Sequence, residues 1–359
     1  MTDPREARQA RLRERLRAES LAGLLVTHQP NIRYLTGFTG SSGAVMVLPG
    51  ETILVTDFRY ETQAPEEVGR YARVETVRAD LWERVAKFAG RTRGEGWGFE
   101  SESTTVATAR KLADQGLPAL RPVEGLVEDL RVRKSQDEVD AIREAADLAA
   151  EAFAATVPAV RPGASEAEIA AVLEGELRRR GSEWHPFPTI VASGPRSALP
   201  HANTGRRVVR QNEGVLLDFG AQVDGYCADL TRVVVAGTAD DRLRMVFELV
   251  RDAQSQALEG LRAGLTGKEG DALARSLIEQ RGFGEAFGHS LGHGLGLEVH
   301  EAPRVSRTNE KPLPEDSVVT VEPGVYLPGW GGVRLEDDVR LTPQGAELLS
   351  QRQIELIQD

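Results

Sequence analysis

The sequence contains a single cysteine, Cys227, among 359 residues, which excludes an intrachain disulfide framework and a zinc site built from several thiolates. No run of about 18 apolar residues occurs, and the charged opening MTDPREARQARLRERLRAES lacks the apolar core of a secretory signal. Basic residues are also in deficit, because 44 Lys and Arg stand against 55 Asp and Glu, for a formal net charge of −11. Without a basic excess, electrostatic affinity for nucleic acid is weak. These absences predict a cytoplasmic protein that binds neither membranes nor nucleic acid.

The length of 359 residues predicts two domains rather than one. From residue 20 to 130, short apolar runs such as LAGLLVTH and ETILVTDF alternate with helical patterns, as is typical of an α/β domain. Ser135 and Glu138 then form a capping box that predicts the start of a long Ala-rich helix. We therefore expect one domain over residues 1–133 and a second over residues 134–359.

The second domain contains an internal repeat. The segment VRPGASEAEIAAVLEGELRRRG starts at Val160 and is similar to LRAGLTGKEGDALARSLIEQRG, which starts at Leu261, an offset of 101 residues (261 − 160 = 101). Ser165 and Thr266 hold the same place in the two copies, and each has the Glu three residues later that marks a helix start. Such a duplication predicts two halves around a pseudo-two-fold axis, with a cleft between them. Chance similarity of two amphipathic helices is the alternative.

Two pairs of acidic residues follow the two copies. In GVLLDFGAQVDGYCADLTRVVV, a hairpin with the four-residue loop 222–225 would make Asp218 and Asp229 direct cross-strand neighbours. In DSVVTVEPGVYLPGWGGVRLEDDVRLT, a hairpin centred on the LPGWGG turn would set Glu322 opposite Glu336. Because like charges in apolar strands repel, two such pairs predict a bound cation. A solvent-facing hairpin with incidental acids is the alternative.

Histidines add imidazole ligands to this set of carboxylates. His289, His293 and His300 fall within FGHSLGHGLGLEVHEAP, and His201 lies in the loop-like stretch SALPHANTG. Four carboxylates and one imidazole suit Mn²⁺, Co²⁺, Fe²⁺ or Zn²⁺. Enough ligands are present for two ions about 3.5 to 4 Å apart.

The motifs that carry these residues resemble those of a known family. DFG…DLTR, GHGLGLEVHE, VEPGVY and GVRLEDD are similar to motifs of the pita-bread metallopeptidases, which include methionine aminopeptidase, aminopeptidase P and prolidase. NIRYLTGFTGSSGAVMV and TDFRYETQA resemble the creatinase-type N-terminal domain of the proline-directed branch, which methionine aminopeptidases generally lack. The resemblance implies an α+β fold: a pita-bread catalytic domain with an internal pseudo-two-fold repeat, preceded by a smaller α/β creatinase-like domain.

The resemblance also implies a dinuclear metal centre, with Mn²⁺ expected first and Co²⁺, Fe²⁺ or Zn²⁺ as alternatives. Creatinase and the histone-chaperone relatives lose metal ligands, whereas all five ligand positions are filled in this sequence. Asp229 and Glu336 would bridge the two ions. The complete implied ligand set is Asp218, Asp229, His293, Glu322 and Glu336.

Further roles are implied around the metal ligands. Glu322 is also the implied proton shuttle, while His201 and His300 would orient the substrate and stabilise the oxyanion. Arg334 lies on the same strand face as Glu336 by two-residue periodicity. The residues implied at positions that support the ligands or line the cleft are His289, Tyr326 and Arg334.

The implied activity is hydrolysis of the Xaa-Pro bond at the N-terminus of short proline-containing peptides. Because GSEWHPFPTIVASGPRSALPH is more similar to bacterial aminopeptidase P, we expect an Xaa-Pro aminopeptidase. The alternative is an Xaa-Pro dipeptidase (prolidase), which needs a cationic group for the free carboxylate of the dipeptide. A non-catalytic peptide-binding module on the same fold is the remote alternative. We also expect a homodimer in which Phe38 or residues 57–60 of one subunit close the cleft of the other.

Overall fold

The computed structural model describes residues 3–90, 96–117, 120–353 and 355–358. The chain divides into two compact units, Met1–Arg131 and Val132–Asp359. Among the described helices, none combines the length and the apolar character that a membrane span needs.

The first unit is built on one six-stranded sheet with the strand order β4-β3-β2-β1-β5-β6. The β1–β2 and β2–β3 pairs are antiparallel, whereas β3–β4, β1–β5 and β5–β6 are parallel. Its strands are β1 (Gly23–Val26), β2 (Gly43–Val47), β3 (Thr52–Asp57), β4 (Arg73–Val77), β5 (Trp97–Glu100) and β6 (Leu120–Val123). Its helices are α1 (Pro4–Ala18), α2 (Gln29–Thr36), α3 (Gln63–Val68), α4 (Leu81–Ala89), α5 (Val106–Asp114) and α6 (Glu128–Arg131).

Phe38 belongs to the interior of this first unit. Its side chain is 1% exposed and packs edge-on against Tyr60, with the ring centroids 5.3 Å apart. The prediction that Phe38 reaches the cleft of a second subunit is therefore wrong, because burial within its own unit leaves no surface to offer. Within the 57–60 segment, Phe58 is the aromatic residue that stays 58% exposed.

The second unit contains two pairs of long helices that confirm the internal repeat, one pair before β7–β11 and the other before the later strands. They are α7 (Gln136–Thr156), α8 (Glu166–Arg180), α9 (Asp241–Gly260) and α10 (Gly267–Gln280), and they pack as the pairs α7–α8 and α9–α10. The predicted capping boxes are present at the starts of α8 and α10, where Ser165 and Thr266 each exchange hydrogen bonds with the Glu three residues later. In α7 the Glu138 carboxylate likewise accepts hydrogen bonds from Ser135.

Each helix pair covers one sheet. The first sheet has the order β19-β11-β8-β7, and the second has the order β13-β12-β14-β17-β18. Two small hairpins, β9–β10 and β15–β16, extend from them. The strands up to β11 are β7 (Ile190–Ser193), β8 (Glu213–Phe219), β9 (Gln222–Val223), β10 (Tyr226–Cys227) and β11 (Leu230–Ala236). The later strands are β12 (Gly292–Gly294), β13 (Glu301–Val305), β14 (Val318–Val321), β15 (Gly324–Leu327), β16 (Gly331–Arg334), β17 (Asp337–Leu341), β18 (Ala346–Leu348) and β19 (Ile357–Gln358).

The strand β11 is buried on both faces, which accounts for its unbroken apolar run. Val233 and Val235 belong to the hydrophobic cluster under α9 and α10, whereas Val234 and Ala236 belong to the cluster under α7 and α8. Alternate side chains of a strand point to opposite faces. This strand therefore connects the two cores of the second unit.

The first acidic hairpin has a register that differs by two residues from the predicted one. Val223 pairs with Tyr226, and Asp218 pairs with Thr231 rather than with Asp229. The turn is the two-residue Asp224-Gly225, both with positive φ (48° and 77°), because an Asp-Gly pair favours a tight turn that matches the twist of the strands. A shift of two residues keeps side chains on their original face, so Asp229 becomes a diagonal neighbour of Asp218 on the same side.

The second acidic hairpin has the predicted register. Val321 pairs with Asp337 in the β14–β17 ladder, and Gly324 pairs with Arg334 in the β15–β16 ladder. Glu322 and Glu336 are the next residues between these two ladders, so they stand opposite each other. The predicted hairpin centred on the LPGWGG turn is confirmed.

Candidate metal centre

The second unit contains a cleft of about 1020 Å³ that collects most of the chemically active residues of the unit. The predicted site residues that line it are Asp218, Asp229, Glu322, Glu336, His201, His289, His293, His300 and Arg334. Arg304 and His185 line the same cleft. The structure thus brings together every predicted site residue except Tyr326, which lies behind Arg334 and is 6% exposed.

The ligand positions come from both halves of the repeat. Asp218 lies in β8 and Asp229 precedes β11, while His293 lies in β12 of the other sheet. An isolated bridge between Thr231 and Glu336 joins the first hairpin to the second. The two acidic hairpins are therefore held edge to edge, which places all four carboxylates on one site.

Glycines on either side of His293 let β12 fit between two neighbouring strands. A Cβ atom on Gly292 would lie 1.9 Å from the Thr320 carbonyl oxygen, and one on Gly294 would lie 2.2 Å from the Ala302 carbonyl oxygen. Both distances are far inside van der Waals contact, so only glycine fits at either position. The GHG sequence thus brings His293 close to the acidic hairpins.

Three of the ligand positions form a compact group. Oxygen and nitrogen atoms of Asp229, His293 and Glu336 all lie within 4.8 Å of one another. His293 Nε2 is 3.5 Å from Glu322 Oε1 and 3.8 Å from Asp229 Oδ2. This spacing suits donor atoms arranged around a shared cation better than direct hydrogen bonds.

His293 presents a lone pair to this group. Its Nδ1 donates a hydrogen bond to the Gly294 carbonyl oxygen at 3.1 Å, so Nε2 carries no proton in the neutral ring. Burial, and next to it the charge of His300, lowers the pKa of His293 to about 3. The ring is therefore neutral at physiological pH and oriented as metal-binding histidines are.

Among the described residues, Arg334 is the one arginine or lysine that touches the site carboxylates directly. Its Nη2 donates to Asp218 Oδ2 at 2.5 Å, and its Nε lies 4.0 Å from Glu336 Oε2. Nε also donates to Thr231 Oγ1 at 2.9 Å, and that hydroxyl donates to Glu336 Oε2 at 2.6 Å. Arg334 therefore orients two of the acids, one directly and one through Thr231.

His289 and Tyr326 continue this hydrogen-bond chain. Arg334 Nη1 donates to the Tyr326 hydroxyl at 2.9 Å, and that hydroxyl lies 2.8 Å from His289 Nε2. Because His289 Nδ1 donates to the Ser290 carbonyl oxygen, Nε2 accepts the proton of Tyr326. Burial keeps both groups neutral, since it lowers the pKa of His289 to about 4 and raises that of Tyr326 to about 12.

The four carboxylates of the site carry more negative charge than the neighbouring cations can neutralise. Burial raises the pKa of Asp218, and burial together with the neighbouring Glu336 raises the pKa values of Asp229 and Glu322 far above the ordinary range. Burial, with Asp218 as the next cause, raises the pKa of Glu336 to about 7.

Two carboxylate oxygens of the site also lack a partner. Asp218 Oδ1 and Asp229 Oδ1 are buried and accept no hydrogen bond from the part of the chain that the structure describes. Unpaired buried oxygens and mutually repelling acids both cost free energy, and a divalent cation removes both costs. The residues present therefore fit a divalent metal site.

His201 and His300 lie at the surface of the cleft, beside the ligand group. The His300 ring centroid is 4.2 Å from that of His293. Burial, followed by the charge of Arg304, lowers the pKa of His300, so its ring is neutral at physiological pH. His201 reaches the cleft from the loop that follows β7.

Three residues of the site were missing from the sequence interpretation. Thr231 could have been found by the two-residue period from Asp229 along β11. Asp338, whose Oδ2 accepts a hydrogen bond from the Asp229 amide at 3.1 Å, lies two residues after Glu336. Arg304 gave no local signal, because its place in the cleft follows from its pairing with His293 across β12 and β13.

Arg304 differs from Arg334 because its positive charge is available to bind a ligand. It is exposed, and it forms no ion pair among the described residues. It lies beside the ligand group because it pairs with His293 across β12 and β13, and its positive charge contributes to the lowered pKa values of His293 and His300. A free guanidinium at this place can bind a carboxylate.

Comparisons with known proteins cover both units. A model of metallopeptidase family M24 matches residues 140–343, and a model of the creatinase/prolidase N-terminal domain matches residues 8–133. The solved structure of an Xaa-Pro dipeptidase from Bacillus anthracis is 38% identical with a TM-score of 0.95, covering 98% of this chain and 99% of that one.

Two further relatives differ in their named activity. The X-Pro aminopeptidase from Thermotoga maritima MSB8 is 38% identical with a TM-score of 0.91, covering 98% of this chain and 99% of that one. The Xaa-Pro dipeptidase of Pyrococcus horikoshii is 34% identical over 341 residues, which is 94% of this chain and 95% of the relative.

Proposed function

Because the chain belongs to metallopeptidase family M24 and carries a creatinase/prolidase N-terminal domain, we propose that it hydrolyses Xaa-Pro dipeptides. The chain is a metallopeptidase, and the family implies divalent metal ions. The observation that carries the proposal is the cluster of four carboxylates and His293 in one cleft, where Asp218, Asp229 and Glu336 are buried and Glu322 is half-buried. Arg304, which forms no ion pair among the described residues, lies beside this cluster.

The dipeptidase replaces the aminopeptidase that the sequence favours. The relatives from Bacillus anthracis and Pyrococcus horikoshii are named Xaa-Pro dipeptidases, which supports the alternative better than the first expectation. Arg304 supplies the cationic group that the alternative requires. An Xaa-Pro aminopeptidase remains the second candidate, because the Thermotoga maritima relative carries that name at equal identity.

We propose that the site holds two divalent ions, with Mn²⁺ as the metal. Asp218 would bind one ion and Glu322 with His293 the other, while Asp229 and Glu336 would bridge both. Such a pair supplies Lewis-acid polarisation of the scissile carbonyl and lowers the pKa of water. The unpartnered oxygens of Asp218 and Asp229 support this assignment.

Side chains of the protein would then transfer the proton and stabilise the negative charge during the reaction. Glu322 accepts a proton from the attacking water as the water oxygen bonds to the carbonyl carbon. His201 and His300 donate hydrogen bonds to the carbonyl oxygen while it carries negative charge. When the C–N bond breaks, Glu322 returns the proton to the prolyl nitrogen, which leaves as a secondary amine.

Arg304 would set the length of the substrate. In a dipeptide the proline carboxylate follows directly after the scissile bond, and a guanidinium can bind it through two hydrogen bonds. A tripeptide has a neutral amide at that place, so it would lose the charged contact. Dipeptides would therefore be preferred.

The experiment compares Ala-Pro with Ala-Pro-Ala in the presence of Mn²⁺, using the parent chain and Arg304→Met. We expect a higher kcat/KM for the dipeptide in the parent. In Arg304→Met the KM for Ala-Pro should rise at least about 10-fold, as expected when charge-assisted hydrogen bonds at an exposed site are lost. Arg307→Met is the matched control, because Arg307 is an exposed arginine of the same segment that does not line the cleft.

The outcomes separate the two candidates. Equal loss of dipeptide activity in both variants would contradict the role of Arg304. A parent that cleaves Ala-Pro-Ala better than Ala-Pro would favour the Xaa-Pro aminopeptidase. A chain that binds metal and cleaves neither substrate would favour the peptide-binding module.

We further propose that residues 1–133 and 134–359 act as N-terminal and catalytic domains, and that the chain functions as a homodimer. The ranges matched by the two family models support the domain division.

A further inference from the structure

We infer that Glu166 is a positioning residue that holds the loop carrying His201 in place. This inference rests on the proposed function for the catalytic role of His201. Glu166 is the first residue of α8, it lies outside the ligand set, and it is 0% exposed. Its contacts reach both ends of the 194–205 segment, which we call the His201 loop.

The carboxylate of Glu166 accepts hydrogen bonds from three residues. Directly before the His201 loop, Oε1 accepts from the Ser193 amide at 2.9 Å and from the Ser193 hydroxyl at 2.8 Å. Inside the loop, the Arg196 Nε donates to Oε2 at 3.0 Å. At the far end, the Gly205 amide donates to the same oxygen at 3.2 Å. One buried charge thereby connects two points of the backbone that are 12 residues apart in sequence (205 − 193 = 12).

The loop needs such a support because the His201 side chain makes few contacts that would hold it in place. Its side chain is exposed, and its ring forms no hydrogen bond or ion pair among the residues that the structure describes. Packing and side-chain contacts therefore do not determine where the ring lies. The backbone of the His201 loop sets the position from which the ring reaches the cleft.

A second contact links the same loop to the ligand group. Arg334 Nη1 donates to the Pro200 carbonyl oxygen at 3.2 Å, directly before His201. The loop is thus held at its ends by Glu166 and near its middle by the arginine that orients Asp218. Releasing the ends would move His201 relative to the carbonyl oxygen that it is proposed to stabilise.

The neutral variant Glu166→Gln tests this role without a change of size. A glutamine offers one acceptor oxygen instead of two, and its amide group faces donors that it cannot accept from. Backbone hydrogen bonds from α8 to the loop, such as the Ala167 amide to the Gly205 carbonyl oxygen at 2.9 Å, do not involve the side chain. We therefore expect a folded protein with a loosened loop.

The first measurement is hydrogen exchange, which needs no substrate. Amides of the His201 loop should exchange about 10- to 100-fold faster in Glu166→Gln, as expected from the loss of charge-assisted hydrogen bonds. Glu168→Gln is the matched control, since Glu168 lies on the same helix and caps Ser165 without touching the loop. Unchanged exchange in Glu166→Gln, or equal acceleration in both variants, would overturn the inference.

The second measurement is a double-mutant cycle on Ala-Pro hydrolysis. Glu166→Gln should lower kcat about 10-fold or more with little change in KM, because the ring is displaced rather than lost. In a His201→Ala background, the same change should lower kcat by less than about 2-fold, since there is no ring left to displace. Equal losses in both backgrounds would show that Glu166 does not act through His201.

The two proposals fail in different ways. If the parent hydrolyses no Xaa-Pro substrate, the proposed function fails, while the exchange experiment still decides whether Glu166 holds the loop. If Glu166→Gln does not fold, Arg196→Gln removes the same ion pair from the loop side, together with the hydrogen bond from Arg196 Nη2 to the Asn203 carbonyl oxygen within the loop. The arginine is about one-third exposed (33%). That variant should reproduce the faster exchange, and its failure to do so would overturn the inference.

Discussion

Replacing Arg334 by methionine should destabilise the metal-free second unit more than any other single arginine substitution in the cleft. The side chain of Arg334 is 4% exposed and that of Asp218 is 11% exposed. Removing one partner of a buried ion pair costs about 3 to 5 kcal/mol, because the other charge stays buried without compensation. The second unit has 228 residues (359 − 132 + 1), and in a domain of that size about 1 kcal/mol shifts Tm by roughly 2 to 4 °C. The expected decrease in Tm is therefore about 6 to 20 °C.

The decrease should depend on pH and on metal. Burial already raises the pKa of Asp218, and loss of Arg334 raises it further. A carboxyl with a raised folded-state pKa stabilises the fold at low pH, and that stability is lost as the pH rises through the folded-state pKa. The Tm deficit should therefore be larger at neutral pH than at about pH 4, near the ordinary pKa of an aspartate. Added Mn²⁺ should reduce the deficit, because it restores positive charge beside Asp218.

Differential scanning calorimetry of the parent, Arg334→Met and Arg340→Met tests this reasoning. Arg340 pairs with Asp316 at 2.6 Å, but their side chains are 21% and 34% exposed. Partly exposed pairs of this kind contribute about 0 to 1 kcal/mol. Equal Tm decreases in the two variants, or a decrease below about 2 °C in Arg334→Met, would refute the electrostatic account of the site.

Four further predictions concern the metal, the chemistry, the thiol and the assembly. Asp229→Asn should abolish peptidase activity and lower the bound metal measured by elemental analysis, and full occupancy with near-parental turnover would contradict the bridging role. His300→Ala should lower kcat by about 10² to 10³ without loss of metal; metal loss would instead make His300 a ligand. Burial raises the pKa of Cys227 to about 12, so Ellman's reagent at pH 8 should label it only after unfolding in urea. Sedimentation at assay concentration should show a homodimer, and a monomer with full activity would contradict it.

Local sequence features predicted much of this protein. The capping boxes at Ser165 and Thr266 mark the helix starts of a duplicated unit. A hydroxyl residue followed by Glu three residues later accepts hydrogen bonds from backbone amides that have no partner within the helix, and this pattern can be recognised in the sequence. The register of Glu322 against Glu336 followed from the turn between them. The resemblance to the pita-bread metallopeptidases is confirmed by the family models and the solved relatives, with the fold that it implied.

Only the tertiary structure determined the register of the first acidic hairpin and the environment of Phe38. The first acidic hairpin has a two-residue turn instead of the expected four-residue loop, so Asp218 pairs with Thr231 rather than with Asp229. Because the register shifts by two residues, both acids stay on the same face of the sheet. The burial of Phe38 depends on Tyr60, which lies more than 20 residues along the chain.

The contacts between arginines and the other site residues could also be read only from the folded chain. The pairing of Arg304 with His293, and the salt bridge of Arg334 with Asp218, join residues from different strands. Periodicity and turn chemistry act over a few neighbouring residues, and they predict which face a side chain takes. Which cation reaches which carboxylate depends on how separate hairpins meet. Only the tertiary structure therefore determined that Arg334 forms an ion pair with Asp218, whereas Arg304 forms none within the described ranges of the chain.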